Sequence, residues 1–361
     1  MKKLLFYNPS FETGGVEKNL LSFLNYNVFL KDYKFILFTL DKVKRNNIKT
    51  YPKKKYSIKT RVIKYFLSFF YLIFYCLKND CVIFSLQNNI VAIIVSILTN
   101  KKIIIRLNTS PDKYSNSYFK KIFFSLFYNF SDIILVNDED FRKKVKEYFK
   151  LDSKIIHNCI DIDKIIKDSR KKIDLKFFSD RNYLNIISVG RLTDQKDHIT
   201  LLKAIKILKN KKIKVIIMGS GINLIYLNNF IKKNNLKNIV KIIGYKKNPH
   251  KYIKAANLFV LTSKYEGSPN ILLEVAAQKK LIISSNCPTG PRKILQNGKG
   301  GYLFNVGNYK KLAEIISKIN IKSKINRNKA NVTFNNLRHF NKKNQLKEFL
   351  ELFKSSAVLK N

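Results

Sequence analysis

What most constrains this chain is an alternation that runs through it twice. Short runs rich in Ile, Leu, Val and Phe trade places with stretches of helical period, first across residues 3–157 and again from 185 onward. Parallel strands are buried on both faces and joined by crossover helices, so this pattern specifies doubly wound parallel sheets. In the first half, strands are expected at 3–8, 34–40, 81–86, 102–107, 132–137 and 153–157, with helices at 14–27, 61–77, 88–98, 117–129 and 138–149. In the second half, strands are expected at 185–189, 213–218, 239–243, 258–262, 281–285 and 301–304, again with helices between them. The charged, weakly patterned stretch 165–182 is read as the boundary, and 321–340 as irregular. A chain of 361 residues exceeds what one core usually supports. The predicted fold is α/β: two Rossmann-like doubly wound domains, 1–165 and 183–340, facing across a cleft. A C-terminal helix within 341–361 is expected to pack back toward the first domain.

Ligands of open parallel sheets bind beyond the carboxyl ends of the strands, so the loops there are where chemistry is sought. Residues 266–274 read EGSPNILLE and follow the strand at 258–262. Gly267 permits a tight turn, and Ser268 and Pro269 lead into the first turn of a helix whose free N–H groups suit a phosphate or sugar hydroxyls. Glu266 lies before that helix and Glu274 just over one turn into it, so the two carboxylates can meet different parts of one ligand. Residues 190–196 read GRLTDQK, directly after the strand at 185–189. Gly190 marks the strand end, Arg191 offers a rigid fork of donors and Lys196 a mobile point charge, a combination suited to a diphosphate. A glycine pair, Gly14 and Gly15, follows the first strand, a GSG loop begins at Gly219, and CPTGPRKIL occupies 287–295. Neither a G-x-G-x-x-G fingerprint nor a Walker A motif is present, which argues against a dinucleotide cofactor or a P-loop.

Cys76, Cys81, Cys159 and Cys287 form no C-x-x-C pair and lie in or beside apolar runs; buried free thiols are expected. The His residues at 157, 198, 250 and 339 make no metal-ligand pattern. The opening MKKLLFYNPS reads as a first strand rather than a signal peptide. A net charge of +46 attracts nucleic acid, anionic lipid and phosphorylated substrates alike. No zinc-finger or RNP-like pattern accompanies it, so a specific nucleic-acid partner is not expected.

The second half resembles the family 4 retaining, nucleotide-sugar-dependent glycosyltransferases of GT-B fold, of the bacterial surface-polysaccharide type. The stretches that carry the resemblance are SVGRLTDQKDHITLLKAI, VIIMGSG, IIGYKKNPHKYIKAANLFVLTSKYEGSPNILLEVAA and CPTGPRKILQNGKGGYLF, which together cover most of 188–304. The first half keeps the GGVEK loop and the IIHNCID turn. The resemblance implies that Arg191 and Lys196 hold the donor diphosphate and that Glu274 binds the nucleotide ribose. It further implies that Glu266 faces the transferred sugar and joins Arg191 and Lys196 as the catalytic set. Asn270 and Ile271 would contact the diphosphate region, Tyr245 would lie near the base, and Gly15 would approach the diphosphate from the first domain. No cofactor or metal is required by that family. Asn108 departs from the pattern, standing where many relatives carry a His that contacts the donor sugar.

The resulting expectation is transfer of a hexose or N-acetylhexosamine from a UDP-sugar to a glycan or lipid-linked oligosaccharide acceptor. The rival readings are a nucleotide-sugar epimerase on the same scaffold, an inactive protein of that fold, for which Asn108 is the support, and a basic nucleic-acid binder. The apolar, Lys-flanked runs at 61–77 and 118–130 suggest a partner as well: an anionic membrane surface, with the enzyme peripheral on the cytoplasmic face.

Overall fold

The computed structural model describes residues 2–11, 33–43, 48–53, 60–108, 117–173, 175–180, 182–288 and 290–355, with single positions at 17, 20, 21, 24, 56, 58 and 111. The chain divides into two compact units: 1–159 together with 342–361, and 160–341.

The first unit holds a seven-stranded parallel sheet in the order β3-β2-β1-β4-β5-β6-β7. Its strands are β1 (Lys2–Tyr7), β2 (Tyr33–Phe38), β3 (Thr50–Tyr51), β4 (Cys81–Ser85), β5 (Ile103–Arg106), β6 (Ile133–Val136) and β7 (Lys154–Ile155). Strands β4, β5 and β6 are buried at every position, which is why they read as unbroken apolar runs. Successive residues of β1 serve opposite faces: Leu5 and Tyr7 join the core under the helices Arg61–Lys78 and Asn89–Thr99. Leu4 and Phe6 join the other core, which Leu346 and Phe349 of the helix Lys342–Ser355 help to close. Phe349 meets Phe84 with ring centroids 5.3 Å apart. Of the helix expected at 14–27, only Glu17, Leu20, Leu21 and Leu24 are described, all helical.

The second unit holds a six-stranded parallel sheet in the order β10-β9-β8-β11-β12-β13. Its strands are β8 (Leu184–Val189), β9 (Ile213–Met218), β10 (Val240–Ile242), β11 (Leu258–Leu261), β12 (Leu281–Ser285) and β13 (Tyr302–Phe304). The chain order reverses between β8 and β11, which are direct neighbours. Loops that leave β8 and β11 therefore flank a topological switch point, the usual ligand position in such sheets.

Two stretches differ from the sequence reading. Residues 165–182, read as a boundary, belong to the second unit: Ile165 in the helix Ile162–Ser169 and Phe178 in a 3-10 turn are buried in its core. The sparse apolar residues there anchor the segment although they set up no period. Residues 321–340, read as irregular, form the helix Lys324–Asn336 and a following 3-10 turn. Its inward face is Asn326, Ala330 and Thr333, and Thr333 packs so closely on Gly300 that a Cβ there would fall 2.2 Å from its Oγ1. A polar, small-residue packing face leaves no hydrophobic period to read. Ile160 and Asn341, the ends of this unit, pair with each other, and Ile160 N–H donates to Phe340 C=O at 3.0 Å.

Candidate active site

The loops beyond β8, β9 and β10 are tied together through their backbones. Gly190 N–H donates to Met218 C=O and Gly219 N–H to Gly244 C=O, each at 3.0 Å, and Leu192 N–H donates to Ser220 C=O at 2.9 Å. Gly219 is indispensable to this knot, because a Cβ on it would fall 1.8 Å from the Gly190 carbonyl oxygen. Tyr245 follows Gly244 and is exposed.

The loop beyond β8 is also stitched to the loop beyond β11. Arg191 donates to Gln195 Oε1 at 2.9 Å, Gln195 Nε2 donates to Tyr265 C=O at 3.1 Å, and Lys264 N–H donates to Gln195 C=O at 2.8 Å. Thr262 Oγ1 donates to Lys196 C=O at 2.9 Å. Lys196 Nζ then reaches Glu266 Oε1 at 2.5 Å, and Ser263 Oγ donates to the same oxygen at 2.6 Å. Ser263 is held in turn by Ser285 Oγ, which donates to its carbonyl at 2.6 Å. The Lys196–Glu266 pair is largely shielded, with 14% and 7% of the two side chains exposed. Removing one partner of a buried ion pair leaves an uncompensated charge, at a cost of about 3–5 kcal/mol when burial is complete.

Gly267 and Ser268 carry the chain from Glu266 to the buried Pro269, whose carbonyl accepts from Leu272 N–H at 2.9 Å. The helix Asn270–Ala276 follows, with Asn270 and Ile271 half-buried at its start and Glu274 buried near its end. The CPTGP turn buttresses this corner: Gly290 sits at φ +91°, and a Cβ there would fall 2.3 Å from Pro269 Cδ. The Cys287 thiol of that turn is pushed up to about 12 by burial and by the nearby Glu266 carboxylate. His250 Nδ1 lies 3.7 Å from Glu274 Oε2. Behind Lys196, the buried His198 is pushed down to about 4 by desolvation and then by the Lys196 charge, so its imidazole is neutral at pH 7.

The arrangement gathers two cations and two carboxylates around one switch point. The cations suit phosphate oxygens, and the carboxylates accept from hydroxyl groups. Residues 169–331, which contain all of these groups, match the family described as Glycosyl transferases group 1. An uncharacterized glycosyltransferase of Methanocaldococcus jannaschii is 34% identical over 239 residues, covering 60% of this chain and 58% of that protein. The N-acetylgalactosamine-N,N'-diacetylbacillosaminyl-diphospho-undecaprenol 4-alpha-N-acetylgalactosaminyltransferase of Campylobacter jejuni is 30% identical over 235 residues, covering 63% of this chain and 62% of that protein. The chain is related to the group 1 glycosyltransferases. It spans about three-fifths of the length of these curated relatives. Among solved structures, Anabaena HepE in complex with UDP and glucose shares the fold over 98% of this chain and 100% of its own, with a TM-score of 0.81 at 17% identity. The two parallel Rossmann-like sheets are thus those of a GT-B protein.

The structure brings Gly190, Arg191, Lys196, Gly219, Glu266 and the EGSPN turn into one network, with Glu274 on the helix that the turn begins. Asn108 belongs to the first unit, where it follows β5 and donates from Nδ2 to Leu86 C=O at 2.8 Å. Gly15 lies outside the described residues; nearby Glu17 accepts from Gln87 Nε2 at 3.1 Å. Sequence reasoning missed Gln195, Ser263 and His250. Gln195 and Ser263 stand in loops already singled out, four residues after Arg191 and three before Glu266. His250 opens the helix His250–Ala255, and nothing in its local sequence ties it to Glu274. Among the described residues, no group of three or more His, Cys, Asp or Glu side chains gathers to hold a metal ion.

Proposed function

We propose that this chain is a retaining glycosyltransferase that moves a hexose or N-acetylhexosamine from a UDP-sugar to a glycan or lipid-linked acceptor in cell-surface polysaccharide synthesis. The observation that carries the reading is the Lys196–Glu266 pair at the β8/β11 switch point, with Arg191 in the same loop and Glu274 on the following helix. In this reading Arg191 and Lys196 take the diphosphate, offsetting the charge that grows on it as the glycosidic bond breaks. Glu266 accepts from hydroxyls of the transferred sugar. Glu274 accepts from the ribose hydroxyls, with His250 behind it. Asn270 and Ile271 border the diphosphate, and Tyr245 lies toward the base. Gly15 and Asn108 complete the set that the resemblance implies for the donor, Asn108 as a neutral hydrogen-bonding group. No resident cofactor is needed, because the leaving group's charge is met by the two basic side chains.

The substrates of relatives support the substrate class. The Campylobacter protein acts on a diphospho-undecaprenol substrate, and an Escherichia coli relative, 29% identical over 233 residues, is a UDP-Gal-dependent galactosyltransferase acting on a diphosphoundecaprenol acceptor. An enzyme of this kind works on the cytoplasmic side of the membrane, where nucleotide sugars are available. Incubation with a panel of UDP- and GDP-sugars, read by thermal shift and by product analysis, tests the proposal. Stabilisation by UDP-sugars with transfer to an acceptor is expected; stabilisation by GDP-sugars alone, or epimerisation without transfer, overturns it.

A further inference from the structure

Four helices cover one face of the first sheet; Glu139–Phe149 lies at one side, and the other three are Arg61–Lys78, Asn89–Thr99 and Tyr118–Asn129. These three pack side by side in that order, and their inner residues share one core. A helix on the surface of a soluble protein turns its polar residues to water. The first of these does the reverse. Phe66, Phe70 and Phe74 are exposed at four-residue spacing. Lys64 and Ser68 are buried, Lys64 paired with Asp41 at 2.7 Å and Ser68 hydrogen-bonded to the Tyr7 hydroxyl at 2.5 Å. The third helix repeats the outward pattern with Phe119, Phe123 and Leu126, Phe119 being 82% exposed. Ile97 and Leu98 extend the surface on the helix between them.

None of the three helices contains an Asp or Glu. Lys78 and Lys120 are exposed on the outer helices, while Lys102, just beyond the middle one, is held by Asp132 at 3.1 Å. Apolar surface on this scale is rare on a protein that contacts only water. Among the described residues, no helix is long and apolar enough to cross a membrane. The face suits something apolar beneath a layer of negative charge. A second copy of the chain fits poorly, because it would bring the same lysines together within a molecule of net charge +46.

We propose that this three-helix face seats the first unit on the headgroup region of an anionic bilayer. Phe66, Phe70, Phe119 and Phe123 enter the acyl boundary, and Lys78 and Lys120 pair with lipid phosphates. The docking stands on the surface itself; its use in reaching a lipid-linked acceptor rests on the transfer reading above.

The chain contains no tryptophan, so each introduced one is a unique reporter. Phe70→Trp and Phe119→Trp place it on the face, and Ile225→Trp places it at an exposed site of the second unit. With vesicles of phosphatidylglycerol in phosphatidylcholine, emission at positions 70 and 119 is expected to move to shorter wavelength and to be quenched by brominated acyl chains. The effect is expected to grow with the anionic fraction and to weaken with salt. Position 225 is expected to stay unchanged. No shift at 70 and 119, equal shifts at all three positions, equal response to pure phosphatidylcholine, or a shift that depends on protein concentration without lipid each overturns the proposal, the last in favour of self-association. UDP-induced stabilisation of the same variants in the absence of vesicles reads the donor site alone, so the two proposals fail separately.

Discussion

Lys196 Nζ and Glu266 Oε1 lie 2.5 Å apart, and Ser263 Oγ donates to that same carboxylate oxygen from 2.6 Å. The cation and the carboxylate therefore neutralise each other where the diphosphate and sugar are proposed to bind. A diphosphate offers Lys196 a second anionic partner, and the serine keeps Glu266 in place as that exchange occurs. Ser263 is fixed from behind by Ser285, so the carboxylate rests on a chain of hydrogen bonds that starts in β12.

The first expectation concerns the basic pair. Arg191→Ala and Lys196→Ala each lower kcat/KM by about ten-fold or more, because each removes a charge that stabilises the departing diphosphate, worth at least ~1.4 kcal/mol in the transition state. Steady-state kinetics with the identified donor measure it. Full activity in both variants removes the diphosphate role.

Glu274 is expected to act on donor affinity. It is buried on the helix Asn270–Ala276 beside His250, so Glu274→Gln keeps the volume and loses the charge. UDP binding, followed by calorimetry, weakens by about ten-fold, or ~1.4 kcal/mol. Unchanged affinity takes Glu274 out of the nucleotide site.

Much of this was legible because parallel strands announce themselves. CVIFS, IIIR and IILV can be little else than buried strands, and the loops that follow such strands are where ligands bind. Arg191, Lys196 and Glu266 were singled out that way. What stayed hidden depended on contacts across the chain. Gln195 matters because it bridges Arg191 to Tyr265, seventy residues away, and Ser263 because it points at Glu266. The helix Lys324–Asn336 was missed since it packs through Asn326, Ala330 and Thr333. The inward direction of Lys64 was equally invisible, as only Asp41 explains it.

Gly219 tests the knot of loops beneath the site. A Cβ at this position would lie 1.8 Å from the Gly190 carbonyl oxygen, and both atoms belong to backbone that is pinned by hydrogen bonds. Gly219→Ala is expected to destabilise the protein by about 1–3 kcal/mol, within the range for overpacking, and to abolish UDP-dependent stabilisation. Denaturant unfolding with and without UDP measures both. Wild-type stability and an intact UDP response would show that the loops are not rigidly coupled.

Chelation is expected to leave the rate unchanged, and the product to keep the anomeric configuration of the donor. Both expectations come from the resemblance to the retaining glycosyltransferases; the first is also supported by Arg191 and Lys196 standing in one loop, two charges available to the leaving diphosphate. Rates measured with excess EDTA, followed by addition of Mg²⁺, decide the first point, and NMR of the fresh product decides the second. A rate lost with EDTA and restored by Mg²⁺, or an inverted product, contradicts the proposed chemistry.

The last expectation follows from His198. Its imidazole is buried, faces Ser188 Oγ at 3.3 Å from Nδ1, and is held down to about 4 by desolvation and by Lys196, against an ordinary value of 6.5. Between those two pH values the unfolded chain binds a proton at this position and the folded chain does not. Stability is therefore complete above pH 6.5, falls as the pH drops through the window, and levels off below about 4, where the folded form also takes up the proton. The contribution is on the order of 3 kcal/mol. Carboxylates elsewhere add their own acid dependence, so the comparison is with His198→Gln. That variant is expected to be less stable at pH 7, having lost a well-packed ring, yet to lose less stability between pH 6.5 and 4.5. Parallel slopes for the two proteins in urea unfolding across that range would mean that His198 already carries its proton in the folded state.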